Sequence, residues 1–190
     1  MLCFLGILLA GGPQPLPAQR LQPGYIVSHM GDTTRGFVQP GNPFRNQRQI
    51  RFLDRYGVKA IYTPARLKAY GYGEKAYVAL PTPFYYSGFL SDTVIFILRR
   101  IEGPASLYRF YARRSVFTLQ RGPAYFELVE MPDGSLHEVS LTFKWRRIAE
   151  AFNTYPELAD AIRNGLYKPE DMGEIVETFN TWFRQQAERE

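Results

Sequence analysis

The stretch YIVSHMGDTTRGFVQ, residues 25–39, decides the fold class of this chain. Two runs rich in β-branched and aromatic residues, Tyr25–Met30 and Thr34–Gln39, flank Gly31-Asp32-Thr33. Glycine and aspartate favour tight turns between antiparallel strands, because glycine accepts a positive φ and the aspartate side chain bonds to nearby backbone. The stretch therefore predicts a β-hairpin at the start of a β-rich region.

The same pattern of short strands continues from Gly24 to about Phe143. Gly, Pro and Asp separate the runs, and no segment keeps a helical period for three turns. The segments Pro40–Arg45 and Pro81–Ser91 are predicted loops, and Met131–Ser135 (MPDGS) is a strong turn signal. The further predicted strands are Gln49–Leu53, Lys59–Thr63, Arg66–Tyr70, Ala76–Leu80, Thr93–Arg100, Ser106–Arg113, Val116–Gln120, Tyr125–Met131 and Leu136–Thr142.

Beyond Phe143 the apolar period changes from two to about 3.6 residues, which indicates helices. The first is marked by one apolar face, formed by Trp145, Ile148 and Phe152. A capping box at Thr154–Glu157 predicts the start of a second helix, and Gly165 predicts its end.

A third helix is predicted to begin near Pro169, where the missing N–H has no intrahelical role. One apolar stripe runs along it: Met172, Ile175, Val176, Phe179 and Trp182 or Phe183. Such a stripe must be buried, and the β region is the nearest surface. We therefore predict an α+β fold that is mainly antiparallel β, as a sandwich or an open barrel, with about three C-terminal helices packed on it.

The first eighteen residues contain no Lys, Arg, Asp or Glu and begin with the apolar run MLCFLGILLA. This run is too short to span a bilayer, and Ala18 suits a signal-peptidase site. We predict a signal peptide at residues 1–18, followed by a single α+β domain at 19–190, with its β region at 24–143 and its helical region at 144–186. The only cysteine, Cys3, lies in the predicted signal peptide, so we expect no disulfide.

The charge balance indicates the class of partner. The chain carries 23 Lys and Arg against 18 Asp and Glu, a net charge of +5 spread along the sequence. This surplus is too dispersed for nucleic-acid binding, and the amphipathic last helix with its polar tail argues against an integral membrane protein. The candidate partners are envelope polysaccharide, lipid headgroups or another envelope protein.

Candidate ligand-binding residues lie in the second predicted loop and just after it. They are Phe84, Tyr85, Tyr86, Phe89 and Asp92. An aromatic-rich loop can line a ligand site, or it can seal one end of a barrel or sandwich by packing.

The sequence does not assemble a catalytic or metal site. Neither Ser87 nor Ser91 lies in a Gly-x-Ser-x-Gly elbow. The two histidines, His29 and His137, meet only if the first and last hairpins are neighbours, and two histidines alone make a weak metal site. We predict no catalytic residue, no metal and no cofactor.

Four segments resemble a family of exported proteins from Bacteroidetes-type bacteria. They are Gly24–Val38 (GYIVSHMGDTTRGFV), Gly103–Tyr108 (GPASLY), Tyr155–Ala159 (YPELA) and Glu174–Asn180 (EIVETFN). Members of the family look similar in a signal peptide, an opening GYIVTxxGDTxxG hairpin and a C-terminal pair of helices with CPELxxxI and IVxxYN motifs. This chain has Tyr155 and Phe179 where the family pattern has Cys and Tyr. The resemblance implies location and architecture, and it transfers no catalytic residue.

Together these features predict an exported protein of the periplasm or cell surface of a Gram-negative bacterium. The leading hypothesis is a non-catalytic binding or structural module of the cell envelope. The alternative is a hydrolase of envelope polymers that uses carboxylates such as Asp92 with Glu102 or Glu127. Two carboxylates can act together only if the fold brings them to one cleft.

Overall fold

A computed structural model of the chain describes residues 21–81, 94–112, 124–139 and 145–189. These residues form ten strands: β1 (Gln22–Val27), β2 (Thr33–Gln39), β3 (Ile50–Asp54), β4 (Lys59–Tyr62), β5 (Ala69–Tyr72), β6 (Lys75–Pro81), β7 (Val94–Ile101), β8 (Ser106–Ala112), β9 (Ala124–Glu130) and β10 (Leu136–Val139). Their helices are α1 (Pro43–Arg48), α2 (Pro156–Arg163) and α3 (Met172–Ala187), with 3₁₀ helices at Trp145–Phe152 and Pro169–Asp171.

The predicted opening hairpin is confirmed. Strands β1 and β2 pair antiparallel from Gln22 opposite Val38 to Val27 opposite Thr33. The turn between them is closed by a 2.9 Å bond from the Ser28 N–H to the Asp32 carbonyl, and Gly31 takes a φ of 94° there. The glycine is needed at this position because other residues rarely adopt that conformation.

The described strands form one antiparallel sheet in the order β10-β9-β8-β7-β6-β5-β1-β2-β3-β4. The predicted α+β class with C-terminal helices is confirmed. The ten described strands are hydrogen-bonded into one continuous sheet whose end strands are β4 and β10. One long-range junction interrupts the run of neighbouring hairpins, where β5 pairs with β1 and Tyr25 lies opposite Gly71.

The predicted loop Pro40–Arg45 is wrong, because residues 43–48 form α1. The Asn42 side chain accepts a hydrogen bond from the Arg45 N–H at 2.9 Å, and Pro43 occupies the first turn. Both are favourable at a helix N-terminus, but six residues are too few to show a helical period. The helix is held by tertiary contacts of its buried side chains Asn46 and Gln47.

Two further boundaries differ from the prediction. Strand β5 begins at Ala69 rather than Arg66, because the Arg66 N–H bonds to the Thr63 carbonyl in a turn that contains Pro64. The predicted capping box at Thr154 does not form: the N-cap of α2 is Tyr155, which makes no side-chain cap. The predicted strand Val116–Gln120 and the ends of the predicted strands at Thr93, Arg113 and Thr142 lie outside the described residues.

One face of the sheet carries two clusters of buried side chains. The first lies on β1–β3 and β5–β7 and includes Ile26, Val38, Phe52, Tyr70 and Phe96. The second joins β8–β10 to the C-terminal helices and includes Leu107, Val129, Phe152, Ile175 and Phe179. A third, smaller cluster of Ile97, Tyr108, Phe110 and Leu128 occupies the opposite face.

The apolar stripe of α3 is buried against the sheet, as its spacing predicts. Met172, Ile175, Val176 and Phe179 are at most 1 % exposed. The neighbouring Asn180 fixes the helix to the β7–β8 connection, since its amide accepts from the Ala105 N–H at 2.7 Å and donates to the Ala105 carbonyl at 2.8 Å. Helix α3 is therefore an integral part of the domain core.

Candidate functional site

A cleft of about 440 Å³ opens between the β9–β10 turn, the 3₁₀ helix at Trp145–Phe152 and α3. This volume falls within the range of small-molecule sites. Its lining combines apolar and polar side chains: Met131, Pro132, Asp133, Ser135, His137, Glu150, Ala151, Asn153, Thr154, Phe179 and Phe183.

The MPDGS turn fixes the polar edge of the cleft. The Met131 N–H donates to the Ser135 carbonyl at 2.9 Å, and the Gly134 N–H donates to the Met131 carbonyl at 2.9 Å. The Asp133 carboxylate accepts from the Ser135 N–H at 2.9 Å. The Ser135 hydroxyl and backbone N–H, helped by His137, hold the pKa of the Asp133 carboxyl below its usual value. These hydrogen bonds hold the turn together, and its Asp133 carboxylate is ionised at neutral pH.

Ser135 and His137 form the most chemically distinctive contact of the cleft. The Ser135 Oγ lies 2.9 Å from the His137 Nε2. Ser135 immediately precedes β10 and His137 lies in it two residues later, so their side chains lie on the same side of the chain. Both are half-buried.

Nucleophilic catalysis at Ser135 requires more than a base. It needs donors that stabilise an oxyanion close to the nucleophile. The two nearest turn N–H groups, of Gly134 and Ser135 itself, are already bonded to the Met131 carbonyl and the Asp133 carboxylate. The arrangement is therefore suited to holding a polar group of a ligand rather than to attacking it.

Two phenylalanines of α3 also line the cleft, and Phe183 is the more accessible of them. Phe179 is 1 % exposed and Phe183 is half-buried, and their ring centroids are 5.8 Å apart. Glu150, Asn153 and Thr154 lie exposed at the rim. A ligand with an apolar body and a hydrogen-bonding end would satisfy both sides of the cleft.

The residues predicted from sequence to bind a ligand are Phe84, Tyr85, Tyr86, Phe89 and Asp92. All five lie outside the described residues. Ser135 is not among the residues that the sequence pattern predicts to form a site. The available signal was the alternation Asp133-x-Ser135-x-His137 on one side of a turn and strand, next to the strong turn motif.

Of the carboxylates considered for hydrolysis, Asp92 lies outside the described residues, and Glu102 and Glu127 do not lie together. Glu102 is exposed and bonds to Arg99 at 2.6 Å, and Arg99 lies opposite Tyr108. Glu127 lies opposite Arg109, which follows Tyr108 in β8. Because successive strand residues point to opposite faces, Glu127 points away from the face that carries Arg99 and Tyr108. Glu102 forms a salt bridge with Arg99, whereas Glu127 forms salt bridges with Arg100 and Arg109.

Glu127 is the most buried carboxylate among the described residues, and its hydrogen-bond partners give it a structural role. Its Oε1 accepts from Arg100 at 2.8 Å and from Arg109 at 2.7 and 3.1 Å. The Arg109 guanidinium also lies 4.0 Å from the centre of the Tyr125 ring. Two cations around one buried carboxylate compensate its desolvation, which is how a buried ion is tolerated in a sheet.

Glu130 points to the face opposite Glu127, as their spacing of three residues predicts. It accepts a 2.6 Å hydrogen bond from the Tyr108 hydroxyl. Burial and the neighbouring Glu130 raise the pKa of Tyr108 to about 12. Glu127 and Glu130 therefore cannot serve as one acid–base pair.

Three buried tyrosines form a second polar network beneath α1. The Tyr70 and Tyr77 rings stack with centroids 4.6 Å apart, and the Tyr70 hydroxyl donates to the Asn46 carbonyl at 2.8 Å. The Asn46 amide donates to the Tyr72 hydroxyl at 2.9 Å. Burial raises the pKa of both Tyr70 and Tyr77. The network attaches α1 to the sheet.

The two histidines are far apart in the sheet. His29 is exposed beside the β1–β2 turn and His137 lies on the end strand β10. In the four described ranges, no group of three His, Cys, Asp or Glu side chains is placed to hold a metal ion. No helix of those ranges is long and apolar enough to cross a membrane.

Comparison with protein-family models, curated proteins and solved structures gives no significant match to this chain. The resemblance to the exported Bacteroidetes-type family therefore stays a prediction.

Proposed function

We propose that this chain is an exported, non-catalytic binding module of a Gram-negative cell envelope, with its ligand site in the cleft beside the MPDGS turn. The export part of the proposal is supported by the uncharged, apolar N-terminal segment of residues 1–18. The binding part is supported by the structure of the cleft.

One observation carries the binding proposal: the Ser135–His137 pair and the half-buried Phe183 line one cleft of about 440 Å³. The hydroxyl and imidazole can both donate and accept hydrogen bonds, and the Phe183 ring supplies an apolar surface. Sugars of envelope polymers combine hydroxyl groups with apolar ring faces, so a short oligosaccharide matches both the volume and the chemistry of the cleft.

Ligand binding is tested by NMR titration of the chain with oligomers of N-acetylglucosamine and of uronic acids. We expect amide shifts concentrated at Met131–His137 and in the second half of α3. Ser135→Ala should weaken binding roughly fivefold, since a hydrogen bond to a polar ligand group contributes about 1 kcal/mol. Thr33→Ala removes an exposed hydroxyl on β2 and serves as the matched control. Shifts confined to other surfaces would contradict the assignment.

Export is tested separately by fusing residues 1–18 to a phosphatase that is active only outside the cytoplasm. We expect activity of the fusion, loss of activity when Leu5 and Leu8 are replaced by Arg, and a processed full-length chain that begins at Gln19. A fusion that remains in the cytoplasm, or an unprocessed chain, would contradict the proposed location while leaving the cleft unaffected.

The second candidate function is hydrolysis, which the 2.9 Å contact between Ser135 Oγ and His137 Nε2 favours. It is tested by incubating the chain with ester, glycoside, peptide and phosphate substrates. We expect no turnover, because the turn leaves neither nearby backbone N–H to stabilise an oxyanion. Turnover that Ser135→Ala and His137→Ala each abolish would replace the binding module by an enzyme.

A further inference from the structure

The sheet face of β2–β4 that points away from the buried core combines cations with apolar side chains. Residues paired across antiparallel strands lie on the same face. Phe37 pairs with Leu53, Leu53 with Lys59, and Arg51 with Ile61. Arg35 precedes Phe37 by two residues and shares its face. We call this surface the outer face and define it by Arg35, Phe37, Arg51, Leu53, Lys59 and Ile61.

The outer face is open to solvent. Arg35, Arg51 and Lys59 are exposed. Phe37 is 41 % exposed and Ile61 is 49 % exposed, which is high for large apolar side chains on strands. By contrast, Val38 and Phe52, which point to the opposite face of the same strands, are at most 2 % exposed.

The apolar character extends into the adjoining β3–β4 turn. Tyr56 is 75 % exposed and Val58 is 62 % exposed at the tip of this hairpin. The Asp54 side chain fixes the tip by accepting from both their N–H groups, at 2.8 and 2.9 Å. The exposure is therefore a property of an ordered turn, and it continues the apolar patch to one edge of the sheet.

The charge of the outer face is of one sign. Among the described strands β2, β3 and β4, its positions hold three cations and no carboxylate. Asp32 lies in the β1–β2 turn and accepts from the Ser28 hydroxyl, and Asp54 at the end of β3 accepts from backbone N–H groups. Salt bridges within the described ranges involve other arginines. The outer face is thus complementary to a surface that is both anionic and apolar beneath its charges.

We propose that the outer face binds the surface of an anionic phospholipid bilayer. The cations would contact lipid phosphates, and Phe37, Ile61 and the Tyr56–Val58 tip would enter the headgroup region. Exposed aliphatic side chains distinguish this partner from an acidic polysaccharide, because sugars stack on aromatic rings and gain little from Ile61 or Val58. The proposal rests on the envelope location proposed above and does not depend on the cleft.

The test is co-sedimentation of the full chain with phosphatidylcholine vesicles that either contain or lack phosphatidylglycerol. We expect stronger binding to the anionic than to the neutral vesicles, with a difference that shrinks as salt is raised. Neutralising two cations with Arg51→Gln and Lys59→Gln should lower the partition coefficient about thirtyfold, because each cation near such a surface contributes about 1 kcal/mol. All variants keep the same N-terminal residues, so the apolar run of the predicted signal peptide contributes equally to each.

Two matched controls separate the outer face from general charge and hydrophobicity. Arg147→Gln with Arg189→Gln removes the same charge from exposed positions in the helical region and should leave partition within about twofold of the unchanged chain. Ile61→Ser should weaken binding roughly fivefold, whereas Val94→Ser, at a strand position that is 42 % exposed, should not.

Three results would overturn the proposal. The first is equal binding to neutral and anionic vesicles. The second is an equal loss of binding in the Arg51/Lys59 and the Arg147/Arg189 double variants. The third combines two observations: soluble polygalacturonate at equal charge displaces the protein from the vesicles, and Ile61→Ser has no effect on binding. Together they would assign the outer face to an acidic polysaccharide. The phosphatase fusion distinguishes these failures from a failure of the proposed location, since it reports export alone.

Discussion

Replacing Phe179 by Ala tests whether α3 belongs to the core of the domain. Phe179 is 1 % exposed, and its ring lies 5.4 Å from Phe152, 5.6 Å from Trp182 and 5.8 Å from Phe183. A buried Phe→Ala change costs about 3–5 kcal/mol, and the cost is highest where the surroundings cannot collapse into the space. Asn180 fixes the adjacent backbone to Ala105, so we expect a loss of about 4 kcal/mol.

The assay is urea unfolding followed by circular dichroism, with the free energy of unfolding compared between Phe179→Ala and the unchanged chain. A change in midpoint at constant slope reports stability alone. Leu166→Ala removes a side chain that is 77 % exposed and should change the free energy by less than about 0.5 kcal/mol. A loss below about 1 kcal/mol for Phe179→Ala would show that α3 is not packed as described and would refute the reasoning.

Three other predictions concern the same core and its titrating groups. Asn180→Ala leaves the Ala105 N–H and carbonyl without their partner, so we expect a loss of about 3 kcal/mol in urea unfolding; an unchanged midpoint would contradict this clamp. Because the pKa of Tyr108 is raised to about 12 in the folded chain, stability should fall as pH rises from about 10 to 12. The fall should be less steep in Tyr108→Phe. Melting temperatures across this range measure the fall in stability, and ultraviolet titration measures the tyrosine pKa. Truncation after Lys168 removes four buried apolar side chains of α3 and should give an insoluble or molten product, which a soluble monomer with an unchanged melting temperature would disprove.

The parts of the fold that follow from local sequence could be predicted. The Gly31 and MPDGS turns set their hairpins through residues next to each other in the chain, and the stripe of α3 shows its buried face by spacing alone. Helix α1 could not be predicted in this way. Its six residues are held by distant partners such as Tyr70 and Tyr72, which no local pattern reveals.

The candidate site was harder to predict than the fold because it joins elements that are distant in the chain. The alternation of Ser135 and His137 places them on one side of the chain, but the phenylalanines that line the cleft with them, Phe179 and Phe183, lie on α3. Only tertiary packing brings these elements together. The aromatic loop that the sequence favours lies outside the described residues, so Phe84, Tyr85, Tyr86, Phe89 and Asp92 stay predictions.

The junction between β1 and β5 has a consequence for how the chain folds. The strands on each side of it pair mostly with sequence neighbours and can form quickly, whereas Tyr25 and Gly71 meet only after a long loop closes. The Tyr25 ring lies directly over Gly71, where an added Cβ would be 2.6 Å from the ring. We therefore expect this junction to limit the folding rate, so that Gly71→Ala slows the pairing of strands β1–β4 with strands β5–β10.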